Sequence, residues 1–485
     1  MAHPHLPPPI ANLSVWQRTV RSHPLLNAGA DAPLPATADV VVIGGGICGA
    51  VLAHSLVNGP DKPRVVLLEA RELASGASGR NAGHCRPDAA RGFTKFAGLH
   101  GAQEARHILE SEADVLARYV PRLAPLTTSA DAFVKRYGVE CEWTLRKTYD
   151  ACLTPEFKRH TEVAAQGLRN AGGTPALELL EGPAAGESRT PANAAFKWDA
   201  ATLNPAKLTL AVHQIALDEA RGRYAVFAWT PVHSVTGAEG AWSVNTPRGS
   251  VSAPKVVFAT NGYTGAIVPE LAGLVTPIRA QAHKLSPAPA GPRAFPPLEA
   301  SYSLRYSPDV FYSVAPRPDG SVVLGASRIG DGPEVAASTE DTVDDAGWHP
   351  AIAARALATF PAVFRQGGWG TPSRAQLDAA AEDAARGSVG TDAATLPEHG
   401  FEYAWTGTIA LTPDAVPFVG AIPGKRGQYA ALGYNGHGMA RIFLCAPVLA
   451  AFIRTGDWDP AMPRSFRLTP ERLARLRGGD AAARL

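Results

Sequence analysis

Three glycines in the pattern Gly44-x-Gly46-x-x-Gly49 separate a β-branched run, Ala38–Ile43, from a segment of helical character, Gly49–Asn58. Such a turn, Ile47 included, lets backbone approach a pyrophosphate, and the free N–H groups of the helix start carry a partial positive charge toward it. Glu69 closes the next β-branched run, Arg64–Glu69, twenty residues past Gly49. That is the spacing at which a carboxylate meets a ribose 2′-hydroxyl and disfavours a 2′-phosphate. The set reads as a dinucleotide site, compatible with NAD or FAD.

The next segment, Ser75-Gly-Ala-Ser78-Gly-Arg80-Asn81-Ala-Gly83-His84, is too rich in small residues to be a simple connector. It suits backbone lying along a long, flat ligand. Five cysteines, Cys48, Cys85, Cys141, Cys152 and Cys445, are scattered without a Cys-x-x-Cys pair, which speaks against a disulfide framework or a zinc site. The histidines show no metal-ligand spacing, so no metal is expected.

These residues need elements to position them. Strand Ala38–Ile43, the helix from Gly49 and strand Arg64–Glu69 form one βαβ unit. Gln103–Tyr119 and Leu208–Ala220 have helical periodicity, and Val226–Val235, Trp242–Thr246 and Lys255–Ala259 read as strands. Val310–Ala315 and Ser321–Leu324 make a hairpin around Arg317-Pro-Asp-Gly320. Residues 375–395, rich in Ala, Asp and Gly, suggest an exposed insertion, and a last helix is expected over Gly438–Arg454. With 485 residues the chain exceeds one core. Its 46 Lys+Arg against 44 Asp+Glu argue against a nucleic-acid binder. The start, Met-Ala-His-Pro-His-Leu-Pro-Pro-Pro, lacks the pattern of a signal peptide and favours an extended arm. Glycines interrupt the most apolar stretch, 38–57, so no membrane span is expected. An intracellular, cytoplasmic protein follows, or a peroxisomal one if Ala483-Arg484-Leu485 is an address.

The Ser75–His84 segment resembles the loop of the glycine-oxidase, sarcosine-oxidase and D-amino-acid-oxidase superfamily, and among its branches looks most like the γ-glutamylputrescine-oxidase-like group. Pro231-Val232, Val256-Val-Phe-Ala-Thr-Asn-Gly262-Tyr263, Trp405-Thr-Gly407 through Asp414, Pro417–Gly420 and Gly433-Tyr-Asn435-Gly436-His437-Gly438-Met are similar to further family segments, so the resemblance spans about 38–455. It implies an α/β fold: a discontinuous Rossmann-type FAD-binding domain with an antiparallel-sheet α+β substrate domain. The segments expected are an arm at 1–37, FAD-binding parts at 38–105, 201–265 and 401–458, substrate parts at 106–200 and 266–400, and a tail at 459–485.

By the same resemblance Gly44, Gly46, Gly49 and Glu69 hold the ADP half of FAD, and Val232 belongs to the strand that reads the adenine. Ser78, Arg80 and Asn81 run beside the ribityl chain and flavin edge. Gly262 lies in the turn returning to the cofactor, and Gly433–Gly438 set a helix N-terminus against the flavin N1–C2=O edge. Relatives attach flavin through a Cys where this chain has Gly407 or a His where it has Arg80, so non-covalent FAD is expected. The lysine that assists oxygen in monomeric sarcosine oxidases aligns with Val323, leaving oxygen or another electron acceptor open. The activity implied is oxidation of a C–N bond of a small-molecule amine or amino acid by hydride transfer to flavin N5. A specialised metabolite as substrate, an NAD-dependent dehydrogenase and an RNA-modifying flavoprotein are the alternatives.

Candidate catalytic residues are His84 and His437, flanked by small residues and able to tune amine protonation, with a structural histidine as the competing reading. Tyr312 on the hairpin is expected to close the site, with Tyr306 beside it. Arg317 is expected at the surface. Arg279 is a candidate for holding a carboxylate, against an ion-pair role.

Overall fold

The computed structural model describes residues 6–9, 12–117, 129–286, 297–327, 333–364, 372–385 and 400–478. The C-terminal tripeptide, His3 and His5 lie outside them.

The first β-branched run forms strand Val40–Ile43, with all four side chains buried, as a strand covered on both faces requires. It sits inside a six-stranded sheet ordered Phe418–Ala421, Gln428–Leu432, Lys255–Phe258, Val40–Ile43, Val65–Leu68, Tyr224–Phe227. Every pairing is parallel except that of Phe418–Ala421. Helix Ile47–Val57 follows the glycine turn and packs between helices Pro205–Ala220 and Ile442–Thr455. A three-stranded antiparallel meander, Ser234–Ala238, Ala241–Thr246 and Gly249–Ala253, is appended.

Strands Phe401–Leu411, Thr276–Leu285, Val322–Ser327, Phe311–Pro316, Ser301–Arg305, Thr144–Cys152, Ala194–Thr202 and His84–Cys85 follow in that order in a nine-stranded sheet. Glu178–Glu181 pairs at its side. The sheet is mixed rather than antiparallel throughout, because Ser301–Arg305 runs parallel to Thr144–Cys152. The Pro-Asp-Gly hairpin forms as read, with Gly320 at φ +83°. Among the described residues no helix is long and apolar enough to cross a membrane.

Several expectations change. Val226–Val235 is two strands, Tyr224–Phe227 and Ser234–Ala238, in different sheets, since Trp229 at φ +53° and Pro231 break the run. The segment from 401 begins in the large sheet, pairing with Thr276–Leu285 up to Leu411. The 375–395 segment carries helix Arg374–Ala385, whose Leu377 is fully buried, so that part is no exposed insertion; the remainder lies outside the described residues. The N-terminal region is not a free arm. Ser14 caps helix Val15–Arg18 through a capping box with Gln17, and Trp16 is buried.

Candidate active site

One cavity of about 750 Å³ is lined from both sheets. At its first end the glycine turn is held from below. Glu69 Oε2 accepts the Gly45 N–H at 2.6 Å, and Oε1 accepts the Arg71 N–H at 2.9 Å. The Ser78 hydroxyl accepts from the Ile47 N–H at 2.8 Å, tying the small-residue loop to the helix start. A Cβ on Gly49 would lie 2.0 Å from the Gly44 carbonyl oxygen, so only glycine lets helix and strand approach here. His213, invisible as a site residue in sequence, is buried on helix Pro205–Ala220. Its Nε2–H donates to the Gly45 carbonyl (3.1 Å), and its Nδ1 accepts from the Tyr224 hydroxyl (2.9 Å). Burial pushes it down to about 4, which keeps it neutral.

The Ser75–His84 loop runs along the cavity. Arg80 is buried, its Nε donating to the Ser75 carbonyl (2.6 Å) and Nη1 to the Thr406 carbonyl (2.9 Å). Gly407 crosses it so closely that a Cβ would stand 2.7 Å from the Arg80 Cβ. Trp405 donates to the Arg80 carbonyl and Trp16 to the Asn81 carbonyl. The last loop is fixed by Asn435 at φ +53°, which accepts the Thr412 N–H and donates to the Thr412 hydroxyl and the Gly433 carbonyl.

Of the residues read from sequence, Gly44, Gly46, Ile47, Glu69, Ser78, Arg80, Asn81, His84, Val232, Gly407, Asn435, Gly436, His437 and Gly438 line this cavity. Gly49 supports the turn from behind. Gly262 is packed against Thr408, and Gly433 against Thr412, so neither reaches the wall. Tyr312 does not close the site. Alternation along its strand sends Phe311 and Ser313 to the cavity and Tyr312 to the other face, where it is buried in the second core. Tyr306 is 38% exposed. Arg279 turns toward Asp344 (3.6 Å) and lines no part of the cavity. Arg317 is not a surface residue: its guanidinium stacks 4.6 Å from the Trp16 ring and pairs with Glu142. Val323 packs in the core, while Gly325 of that strand faces the cavity.

The second end is polar in a way the sequence did not reveal. Asp150, buried on Thr144–Cys152, pairs with Arg86 (2.9 Å), Arg305 (3.3 Å) and Arg91 (3.4 Å), and Arg91 also holds Asp88 (3.0 Å). Burial and the neighbouring Arg91 draw Arg305 down to about 9 against the pull of Asp150. The three arginines and Asp88 line the cavity, with Arg305 stacked 3.7 Å over Phe311. The Asp88 N–H donates to Glu112 of helix Ala102–Ala117. Glu112, with no exposure, also receives Arg441 (2.7 Å) and His437 Nδ1 (3.1 Å). Burial would raise its carboxyl, but His437 and Arg441 prevail and hold it at about 2, fully ionised. His84 is the contrast. Burial and nearby Arg86 push it down to about 3, and its Nε2 has no partner.

The residues present suit FAD. A glycine turn at a helix start, of the kind that can take a pyrophosphate, then Glu69 and a loop of small residues follow one another along the cavity, and the buried Arg71 Nε beside them lacks a partner. The profile of the family described as FAD dependent oxidoreductase matches residues 39–452. The chain belongs to this family, and is an FAD-dependent oxidoreductase. Glycine oxidase from Geobacillus kaustophilus is similar in fold (TM-score 0.65, 19% identity, 90% of this chain and 99% of that one). So is L-proline dehydrogenase from P. horikoshii (TM-score 0.63, 18% identity, 92% and 99%). In sequence the chain is 26% identical over 250 residues to the "Probable oxidoreductase OrdL" of Rhizobium meliloti. That match covers 50% of this chain and spans about half (53%) of the relative.

Proposed function

We propose that the chain oxidises the C–N bond of a small amine or amino acid that carries an anionic group. The observation that carries this reading is the arginine cluster: Arg86, Arg91 and Arg305 face two carboxylates, Asp88 and Asp150, leaving one unit of positive charge in a buried wall of the cofactor's own cavity. An uncompensated buried cation is costly, and a substrate carboxylate would relieve it through charge-assisted hydrogen bonds. The fold neighbours glycine oxidase and L-proline dehydrogenase are named for amino acids, which agrees.

Gly44, Gly46, Ile47 and Glu69 would hold the ADP half of FAD, with Val232 beside it. Ser78, Arg80, Asn81 and Gly407 would line its middle, and Asn435–Gly438 the flavin end. When bound, FAD supplies the acceptor for a hydride. The chain's own residues orient the substrate and handle its proton. His437 is braced by an ionised Glu112 behind Nδ1, leaving Nε2 to take a proton from the substrate ammonium, since only a neutral amine releases hydride readily. His84, kept neutral, offers its Nε2 only as an acceptor.

Anaerobic bleaching of the flavin tests the reading. Sarcosine, N-methyl amino acids, D-amino acids, glycine and proline form one set, and methylamine, dimethylamine and putrescine the other. Bleaching is expected only from carboxylated amines, with Arg305→Met raising KM roughly 10–100-fold, the value of one or two charge-assisted bonds. Equal bleaching by the set that lacks a carboxylate would refute it.

A further inference from the structure

Asp345 lies in the connection between helices Pro333–Thr339 and Pro350–Phe364, far in sequence from every cofactor segment. Its carboxylate is wholly buried and grips the Arg71 guanidinium with both oxygens, at 2.8 and 2.9 Å. Oδ2 also meets Arg80 Nε at 3.3 Å and accepts from the Tyr263 hydroxyl at 3.5 Å. Arg71, Arg80 and Tyr263 all line the cofactor end of the cavity, and Arg71 and Arg80 flank the Ser75–Ser78 turn. The N-terminal region closes over the same place. Leu6 and Pro7 line the cavity, the Pro8 carbonyl accepts from Arg71 Nη1, and the Asn12 N–H donates to the Asp345 carbonyl. The two buried guanidiniums share this wall with the carboxylates of Asp345 and Glu69, yet the Arg71 Nε there has no partner. That open N–H suits a pyrophosphate lying alongside.

We propose that Asp345 and Leu6–Pro8 form a clasp that retains FAD: Asp345 positions Arg71 and Arg80 against the cofactor, and the N-terminal residues seal the opening above them. The inference rests on the family's cofactor, not on the substrate proposed above. FAD leaves only when the 71–80 loop moves, and that loop is tied from the far side by a bidentate ion pair with little water around it. FAD binding and clasp closure must then favour one another reciprocally.

The experiment uses the FAD-loaded full chain, Asp345→Asn, a truncation lacking residues 1–9, and Asp344→Asn as control. Asp344 is 56% exposed and does not line the cavity. Release of FAD is followed by the rise of free-flavin fluorescence after dilution, and the Tm of each protein is read with and without added FAD. The clasp requires FAD to leave at least tenfold faster from Asp345→Asn and several-fold faster from the truncation, with Asp344→Asn unchanged. FAD should also raise the Tm of the two clasp variants less than that of the intact chain. If Asp345→Asn does not fold, the truncation decides alone. An off-rate equal to that of the intact chain in the truncation, or in folded Asp345→Asn, overturns the proposal whatever the substrate proves to be.

Discussion

Glu112 shows how much one carboxylate can organise. It receives Arg441, His437 and the Asp88 N–H, and so joins the Asn435–Gly438 loop to the arginine cluster. Replacing it with Gln keeps the shape and removes the charge, stranding the buried Arg441. Losing one partner of such a pair costs about 3–5 kcal/mol, far more than the intact pair contributes. Glu112→Gln should therefore lower Tm by several degrees in a thermal melt of the holoprotein and slow anaerobic flavin reduction beyond that effect. An unchanged Tm would show that Arg441 finds another partner. Gly407 poses a steric case. Gly407→Ala puts a methyl 2.7 Å from the Arg80 Cβ, an overpacking worth about 1–3 kcal/mol. Purified variant should carry less flavin per chain, read as visible absorbance relative to protein; full loading would mean the strand shifts to accommodate it.

At the scale of elements, helix Pro205–Ala220 supports the Gly44–Gly46 turn through His213. His213→Leu strands the Gly45 carbonyl and the Tyr224 hydroxyl, each worth about 1–3 kcal/mol when left unsatisfied. Both stability and FAD affinity should fall, measured by melts and by flavin titration of the apoprotein; a loss of stability alone would confine His213 to packing. The helix was legible in sequence, its role was not. What could be read was local: strand, glycine turn, helix and Glu69 within one βαβ unit, and the Pro-Asp-Gly hairpin. The small-residue loop could be read as well, because close approach restricts residue type. Asp150, Glu112, His213 and Asp345 escaped, since each is an ordinary polar residue on a helix, strand or connection. Their side-chain partners arrive from 11 to 329 positions away. Tyr312 was misread for the same reason. A hairpin can be recognised from its turn, but which of its faces meets the cavity depends on what packs against each face, here the second core behind Tyr312, and no local pattern encodes that.

Over the whole molecule, these buried groups set how the protein meets acid. Burial holds His213 and His283 at about 4 and His84 at about 3, each below the ordinary value of about 6.5. His283 is fixed neutral, with Nδ1–H donating to the Leu324 carbonyl and Nε2 accepting from Gln281. Between its folded value and 6.5 such a histidine binds a proton in the unfolded chain and not in the native one. Stability then rises with pH, is complete above about 6.5, and drains away as pH falls. At pH 5, His213 and His283 should each have withdrawn about 2 kcal/mol. Glu112, depressed to about 2, acts in a lower window: its contribution persists above the ordinary carboxylate range near 4.3 and disappears only below it. Acid should thus weaken the protein in two stages, histidines first. Thermal melts of the holoprotein from pH 7.5 to 4.5 should show Tm falling steadily below pH 6.5. His213→Gln, although less stable at neutral pH, should show a shallower decline because one buried proton acceptor is gone. A Tm that is level between pH 7 and 5, or an equal slope in the variant, would mean that the protonated imidazoles gain anionic partners in the folded chain, which their carbonyl, hydroxyl and amide neighbours do not provide.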